Sequence, residues 1–119
     1  MRELNIAYGN NRQAKRWVNK TIRFDDLKER LKVTIRTTES AEEYAKMSRA
    51  QRDAAKDHGG FVAGVLKGGR RKVDTVESRS MVALDGDRID AAFLENYETL
   101  CPYASALYTT HSSTEENPR

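Results

Sequence analysis

The chain has 119 residues, 38% hydrophobic and 33% charged, with a net charge of +3 and a pI near 9.1. That length fits one domain with a single modest core, and no window approaches the roughly 18 apolar residues of a membrane span. The lone Cys101 excludes a disulfide framework within the chain and fits a reducing cytosol, and MRELNIAYGNN lacks the apolar run of a signal peptide.

Arg2 to Tyr8 reads as a strand, because Leu4, Ile6 and Tyr8 alternate with Glu3, Asn5 and Ala7. Gly9-Asn10-Asn11 breaks it, and a short basic segment follows from Arg12 to Trp17. Residues 24–31 read as a short helix, with Phe24, Leu27 and Leu31 on one face and Asp25 and Asp26 opening its first turn. Thr37 to Ser40 is a polar linker. Ser40 with Glu43, and Ser48 with Gln51, have capping-box spacing and predict helices through Met47 and to about Asp57, with Gly59 as a C-terminal cap. These two helices carry few large apolar residues, so they either lie on the surface or lean on a partner outside this chain.

From Gly60 the pattern changes. Phe61 to Leu66 is strand-like, Lys67-Gly68-Gly69-Arg70-Arg71-Lys72 is a basic loop, and Val73 to Ser78 leads into a second strand, Arg79 to Leu84. The two strands suit an antiparallel pair across the loop. Ile89, Ala92 or Phe93, Asn96 or Tyr97, and Leu100 then follow helical spacing, Pro102 stops the helix, and Tyr103 to Thr110 reads as a further strand before a polar tail.

Residues 79–111 thus read as a strand, helix and strand at about the minimum length for a βαβ unit. A right-handed crossover makes the outer strands parallel and brings their C-terminal ends to one edge. Asp85 and Asp87 end the first of these strands and His111 the second, so two carboxylates and an imidazole are expected to meet where open sheets bind ligands. In extended chain, Asp85 and Asp87 face the same side, and two hard oxygen donors suit Mg²⁺ or Mn²⁺. Each feature also has a plainer reading. Asp-Gly is a common hairpin turn, and Asp87 is able to cap the next helix. The spacing does not fit an EF-hand, GGFVAGVLKGG has Val65 after Gly64 where a Walker loop needs lysine, and one cysteine with two distant histidines gives no zinc set. His58 reads as part of a helix end and His111 as a residue of the tail. The 67–72 cluster is either a solvated loop or a phosphate-binding patch, and Trp17 either stacks on a base or anchors the core.

The order GGFVAGVLKGGRRKVDTVESRSMVALDGD, a helix, then SALYTTHSS and ENPR resembles the start of an archaeo-eukaryotic-type primase-polymerase domain. It is most similar to the version at the N-terminus of phage and mobile-element proteins of the virulence-associated protein E family. The resemblance runs from NIAYGNNRQAKRW onward and is most specific over residues 59–119. It implies an RNA-recognition-like sheet and nucleotidyl transfer on a DNA or RNA template. Asp85 and Asp87 take the place of the family's metal-binding D-x-D. Thr109, Thr110 and His111 take that of its small-x-His contact to the incoming nucleoside triphosphate. Ser112-Ser113 lack the basic residue often found after that histidine, and the family's third motif, a further carboxylate, is not reached by Arg119.

The expected class is α+β: a small mixed sheet with helices on one face, ending in a βαβ unit. The expected organisation is one truncated domain over residues 1–119, with a strand-plus-helical part at 1–58 and a sheet-forming part at 59–119. The leading functional expectation is the N-terminal part of a primase-polymerase, with Asp85 and Asp87 holding Mg²⁺ or Mn²⁺ as catalytic ligands. His111 and Thr109 would contact the nucleotide, and Lys67, Arg70, Arg71 and Lys72 nucleic-acid phosphates. The isolated chain is expected to be nearly inactive. The alternatives are a non-catalytic nucleic-acid-binding module using the basic loop, and a protein-interaction fragment supported only by the helices between Ser40 and Asp57.

Overall fold

Strand β1 (Glu3–Gly9) buries Leu4 and Ile6 on one face and Ala7 on the other. Burial on both faces suits a central strand, and β1 lies between β2 (Val18–Arg23) and β3 (Gly60–Val62), antiparallel to each. This computed structural model describes residues 2–111 and residue 113, and the rest of the polar tail, including Ser112 and Asn117-Pro118-Arg119, lies outside them. It divides into two compact units, Met1–Ala83 and Leu84–Arg119.

In the first unit, β2 joins β1 over the register Glu3↔Arg23 to Tyr8↔Val18, and the Thr21 hydroxyl donates to Asn5 Oδ1 across the pair. Helix α1 (Phe24–Leu31) follows directly and buries Leu27, as the spacing predicts. Helices α2 (Ala41–Lys46) and α3 (Arg49–Lys56) begin at the serines expected. Ser40 Oγ accepts from Glu43 N–H, and Ser48 and Gln51 make a complete capping box. Helix α3 ends on Asp57 rather than Gly59, which sits two residues later with φ +86°.

The run Phe61–Leu66 makes two strands, not one. Its first half is β3, in the β1 sheet, and its second half is β4 (Gly64–Leu66), which pairs antiparallel with β5 (Val76–Arg79) in a separate ladder. An antiparallel pair does form across the basic loop, but its second strand is Val76–Arg79, in the segment read as a lead-in, and not the expected Arg79 to Leu84. Asn19 ties the two sheets together: its Nδ2 donates to the Leu66 carbonyl at 2.8 Å, and Leu66 N–H donates to Asn19 Oδ1 at 2.9 Å. The core is small. Ala7, Trp17 and Leu66 form a buried cluster, with Ala14, Val62 and Val76 packed against it.

The second unit carries α4 (Ala91–Leu100), stopped before Pro102 as expected. Its N-cap is Asp90, whose Oδ1 accepts from Phe93 N–H at 2.8 Å, so Asp87 is not the cap. Two expectations are corrected here. Met81 to Leu84 and Tyr103 to Thr110 form no strand, and every strand pair among the described residues is antiparallel, so the βαβ unit and the mixed character of the sheet are absent. The physical reason is missing burial: Val82 and Leu84 are each 82% exposed and Leu107 62%, so these apolar residues find no neighbouring strand to pack against. The α+β class holds, with two small antiparallel sheets and four α-helices among the described residues.

Candidate nucleic-acid interface

The segment after β1 turns tightly on itself. Asn11 Oδ1 accepts from Gln13 N–H at 2.9 Å, and Ala14 N–H donates to the Asn11 carbonyl, which leaves Arg12, Lys15 and Arg16 exposed. Trp17 pins the end of this turn. It is 4% exposed, and its indole N–H donates to the Ala14 carbonyl at 3.1 Å. Its six-membered ring occupies the space that a side chain on Gly9 would need, with the nearest carbon 2.4 Å from an ideal Cβ there. Trp17 is thus a core anchor.

The basic loop supplies the second half of the surface. Lys67–Gly69 forms a 3₁₀ turn, with Gly68 and Gly69 both at φ +66°. Thr75 closes the loop by accepting from Lys72 N–H. This loop is docked on the first segment at two points. Trp17 N–H donates to the Gly69 carbonyl at 2.7 Å, and Arg71 Nη2 donates to the Arg12 carbonyl at 2.8 Å across 59 positions of chain. The Arg71 guanidinium also lies over the Trp17 ring, 5.0 Å from its centroid. Helix α3 braces the other side. Arg12 pairs with Asp53 at 3.2 Å, and its backbone N–H donates to both carboxylate oxygens of Asp57. The Lys56 ammonium, and after it Arg12, holds the Asp53 carboxyl below the usual carboxylate range.

The basic side chains of this surface therefore differ in their engagement. Arg12 and Arg71 are committed to the fold. Lys15, Arg16, Lys67, Arg70 and Lys72 are exposed, and none forms an ion pair among the described residues. Of the phosphate contacts expected from sequence, Lys67, Arg70 and Lys72 face solvent, while Arg71 is held on Trp17 and Arg12. Lys15 and Arg16 join these from the short basic segment after β1. Their basic character is visible in the sequence, but no local pattern links residue 16 to residue 69. The wider charge distribution follows the same division. The first unit carries 19 Lys and Arg against 11 Asp and Glu, a net +8, and the second carries 2 against 7, a net −5.

Asp85, Gly86 and Asp87 lie on the irregular segment before α4, and Arg88 follows in the left-handed region at φ 55°. Both carboxylates are exposed, and Thr109 and His111 lie beyond α4, outside any strand. The parallel strands expected to bring these groups to one rim are missing. Among the described residues, no three His, Cys, Asp or Glu side chains gather where they could hold a metal ion. In donor chemistry, Asp85 and Asp87 match part of what Mg²⁺ takes from a protein, one or two carboxylates completed by water and phosphate. The hollow on α4, about 320 Å³ and lined by Phe93, Asn96, Tyr97, Leu100 and Cys101, offers no charged group to a phosphate. No helix among the described residues is long and apolar enough to cross a membrane.

The fold and surface define an α+β domain whose first unit gathers cations from two distant segments. The chain matches the family model of the VapE N-terminal domain over residues 1–119 and belongs to that family. No curated protein and no solved structure matches it.

Proposed function

We propose that this chain serves a VapE-type protein of a phage or mobile element as a nucleic-acid-binding domain in the cytoplasm, gripping backbone phosphates with Lys15, Arg16, Lys67, Arg70 and Lys72. The observation that carries this reading is the joining of the two basic segments through the Trp17–Gly69 and Arg71–Arg12 hydrogen bonds. Phosphate contacts from Lys and Arg supply affinity without sequence preference. The test compares two double reversals, Lys15→Glu with Arg16→Glu and Lys67→Glu with Lys72→Glu, by fluorescence anisotropy on labelled DNA. Each pair is expected to weaken binding by about tenfold or more, because both sit on one surface. These side chains are exposed, so the melting temperature should move little. Undiminished binding in either double variant, or binding to anionic vesicles but not to DNA, overturns the reading.

Family membership and the Asp85-Gly86-Asp87 sequence favour a second reading for the parent protein, template-directed nucleotidyl transfer of the primase-polymerase class. Asp85 and Asp87 would offer oxygens to Mg²⁺ or Mn²⁺, and His111 and Thr109 would contact the nucleoside triphosphate. The metal would supply charge neutralisation at the reacting phosphate. Manganese titration followed by electron paramagnetic resonance tests this: binding lost in Asp85→Ala with Asp87→Ala supports it, and identical titrations of parent chain and variant rule it out.

A further inference from the structure

The surface has a chemical selectivity of its own, and this inference rests on the nucleic-acid reading above. Proteins that hold single strands without sequence preference combine a basic groove with aromatic rings on which successive bases stack. Here the aromatic ring between the two basic segments is withdrawn from that role. Trp17 is 4% exposed and packs with Ala7 and Leu66, its indole N–H is committed to the Ala14 carbonyl, and the Arg71 guanidinium lies over its ring. A base approaching between the segments meets a cation already stacked in its place. Five exposed cations remain on the two segments that the Trp17–Gly69 and Arg71–Arg12 hydrogen bonds join. Such a surface can neutralise phosphates but gains nothing from an unpaired base. Its affinity then follows the charge density of the ligand, which is higher along a double helix than along a single strand.

We infer that the Lys15–Arg16 and Lys67–Lys72 surface binds the sugar-phosphate backbone of double-helical nucleic acid in preference to single strands, without contacting bases. Counterion release gives the expected readout. Log K falls with log salt at about −0.9 per neutralised phosphate on a duplex and −0.7 on a single strand. Five cations then give slopes approaching about −4.5 and −3.5.

The experiment uses the full chain and three probes of equal length: a duplex, a mixed-sequence single strand, and a single strand carrying abasic sites throughout. Anisotropy titrations are run between 50 and 200 mM salt, on the order of the range over which such binding weakens. The duplex is expected to bind several-fold tighter than either strand, and the two single strands to bind equally within about twofold. Lys15→Gln with Arg16→Gln should reduce the duplex slope by about 1.8. Trp17 is the sole tryptophan, so its emission reports directly on stacking. It should keep its intensity on saturation with any of the three probes. Tighter binding of the base-bearing strand than of the duplex, a large loss on removing its bases, or strong quenching of Trp17 each overturns the inference while leaving nucleic-acid binding in place. Failure to bind all three probes overturns the underlying reading as well.

Discussion

Trp17 and Gly69 are joined by a 2.7 Å hydrogen bond, from the backbone N–H of the first to the carbonyl of the second. Gly69 is at φ +66°, and an ideal Cβ there would lie 2.7 Å from the Trp17 carbonyl oxygen. Gly68 shares the φ of +66° but has nothing within 4 Å of the same position. The two neighbouring glycines thus separate backbone strain from steric exclusion. Gly68→Ala should cost about 1–2 kcal/mol for a left-handed residue with a side chain. Gly69→Ala should cost about 1–3 kcal/mol more, because the docked loop must shift. Urea unfolding measures both. Anisotropy on DNA should show weaker binding for Gly69→Ala, and equal effects of the two substitutions would mean that the loop is not seated as described.

Asn19 is the side chain that holds β4 to β2, donating to and accepting from Leu66, which is 1% exposed. Asn19→Ala leaves both backbone groups of Leu66 without these partners and should cost about 1–3 kcal/mol. Asn19→Asp is the sharper test. It keeps an acceptor for Leu66 N–H but turns a carboxylate oxygen toward the Leu66 carbonyl. Its destabilisation should therefore grow as the introduced acid ionises, and thermal melts across the acid range read this directly. A pH-independent loss equal to that of alanine would remove the repulsion from the account.

How far the sequence could lead depended on what each segment buries. Helix α1 was legible because Phe24, Leu27 and Leu31 keep helical spacing, and α2 and α3 because Ser40 and Ser48 bring their caps with them. Strand β2 carries no such signal in the sequence. Val18, Asn19, Lys20 and Thr21 are all exposed, so it lacks apolar alternation and owes its place to its register with β1. Around Leu84 and Leu107 the reverse occurs: apolar residues are present and no strand forms. For the surface, the 67–72 loop was visible as a charge cluster, but its partner at Lys15 and Arg16 emerges only from hydrogen bonds spanning the fold.

Helix α3 braces the surface through carboxylates, which makes the brace sensitive to acid. The pKa of Asp53 is lowered in the folded chain, first by Lys56 and then by Arg12. A lowered folded-state value means that the stabilisation is present above the unfolded pKa and is lost as pH falls through the folded one. The α3 contact with Arg12 should therefore be intact at neutral pH and loosen only below the ordinary carboxylate range. Carbon-detected NMR of the Asp53 carboxyl should place its midpoint below that range, and Asp53→Asn should abolish the acid-induced loss of amide protection in α3. A midpoint at or above the ordinary range contradicts the brace.

In the second unit the testable interaction is the cap of α4. Asp90 Oδ1 accepts from Phe93 N–H, and the helix has only 10 residues, shorter than an isolated helix needs to be stable in water. Losing the cap should therefore be felt along the whole element rather than at one end. Asp90→Ala is expected to cost about 0.5–2 kcal/mol and to lower amide protection from Phe93 through Leu100. Asp90→Asn keeps an oxygen able to accept the same bond and gives up only the charge at the helix N-terminus, worth about 0.3–1 kcal/mol when exposed. Hydrogen exchange on the full chain distinguishes the two contributions. Protection lost in the alanine variant and mostly retained in asparagine assigns the stabilisation to the hydrogen bond, whereas equal loss in both assigns it to the negative charge and contradicts the capping geometry.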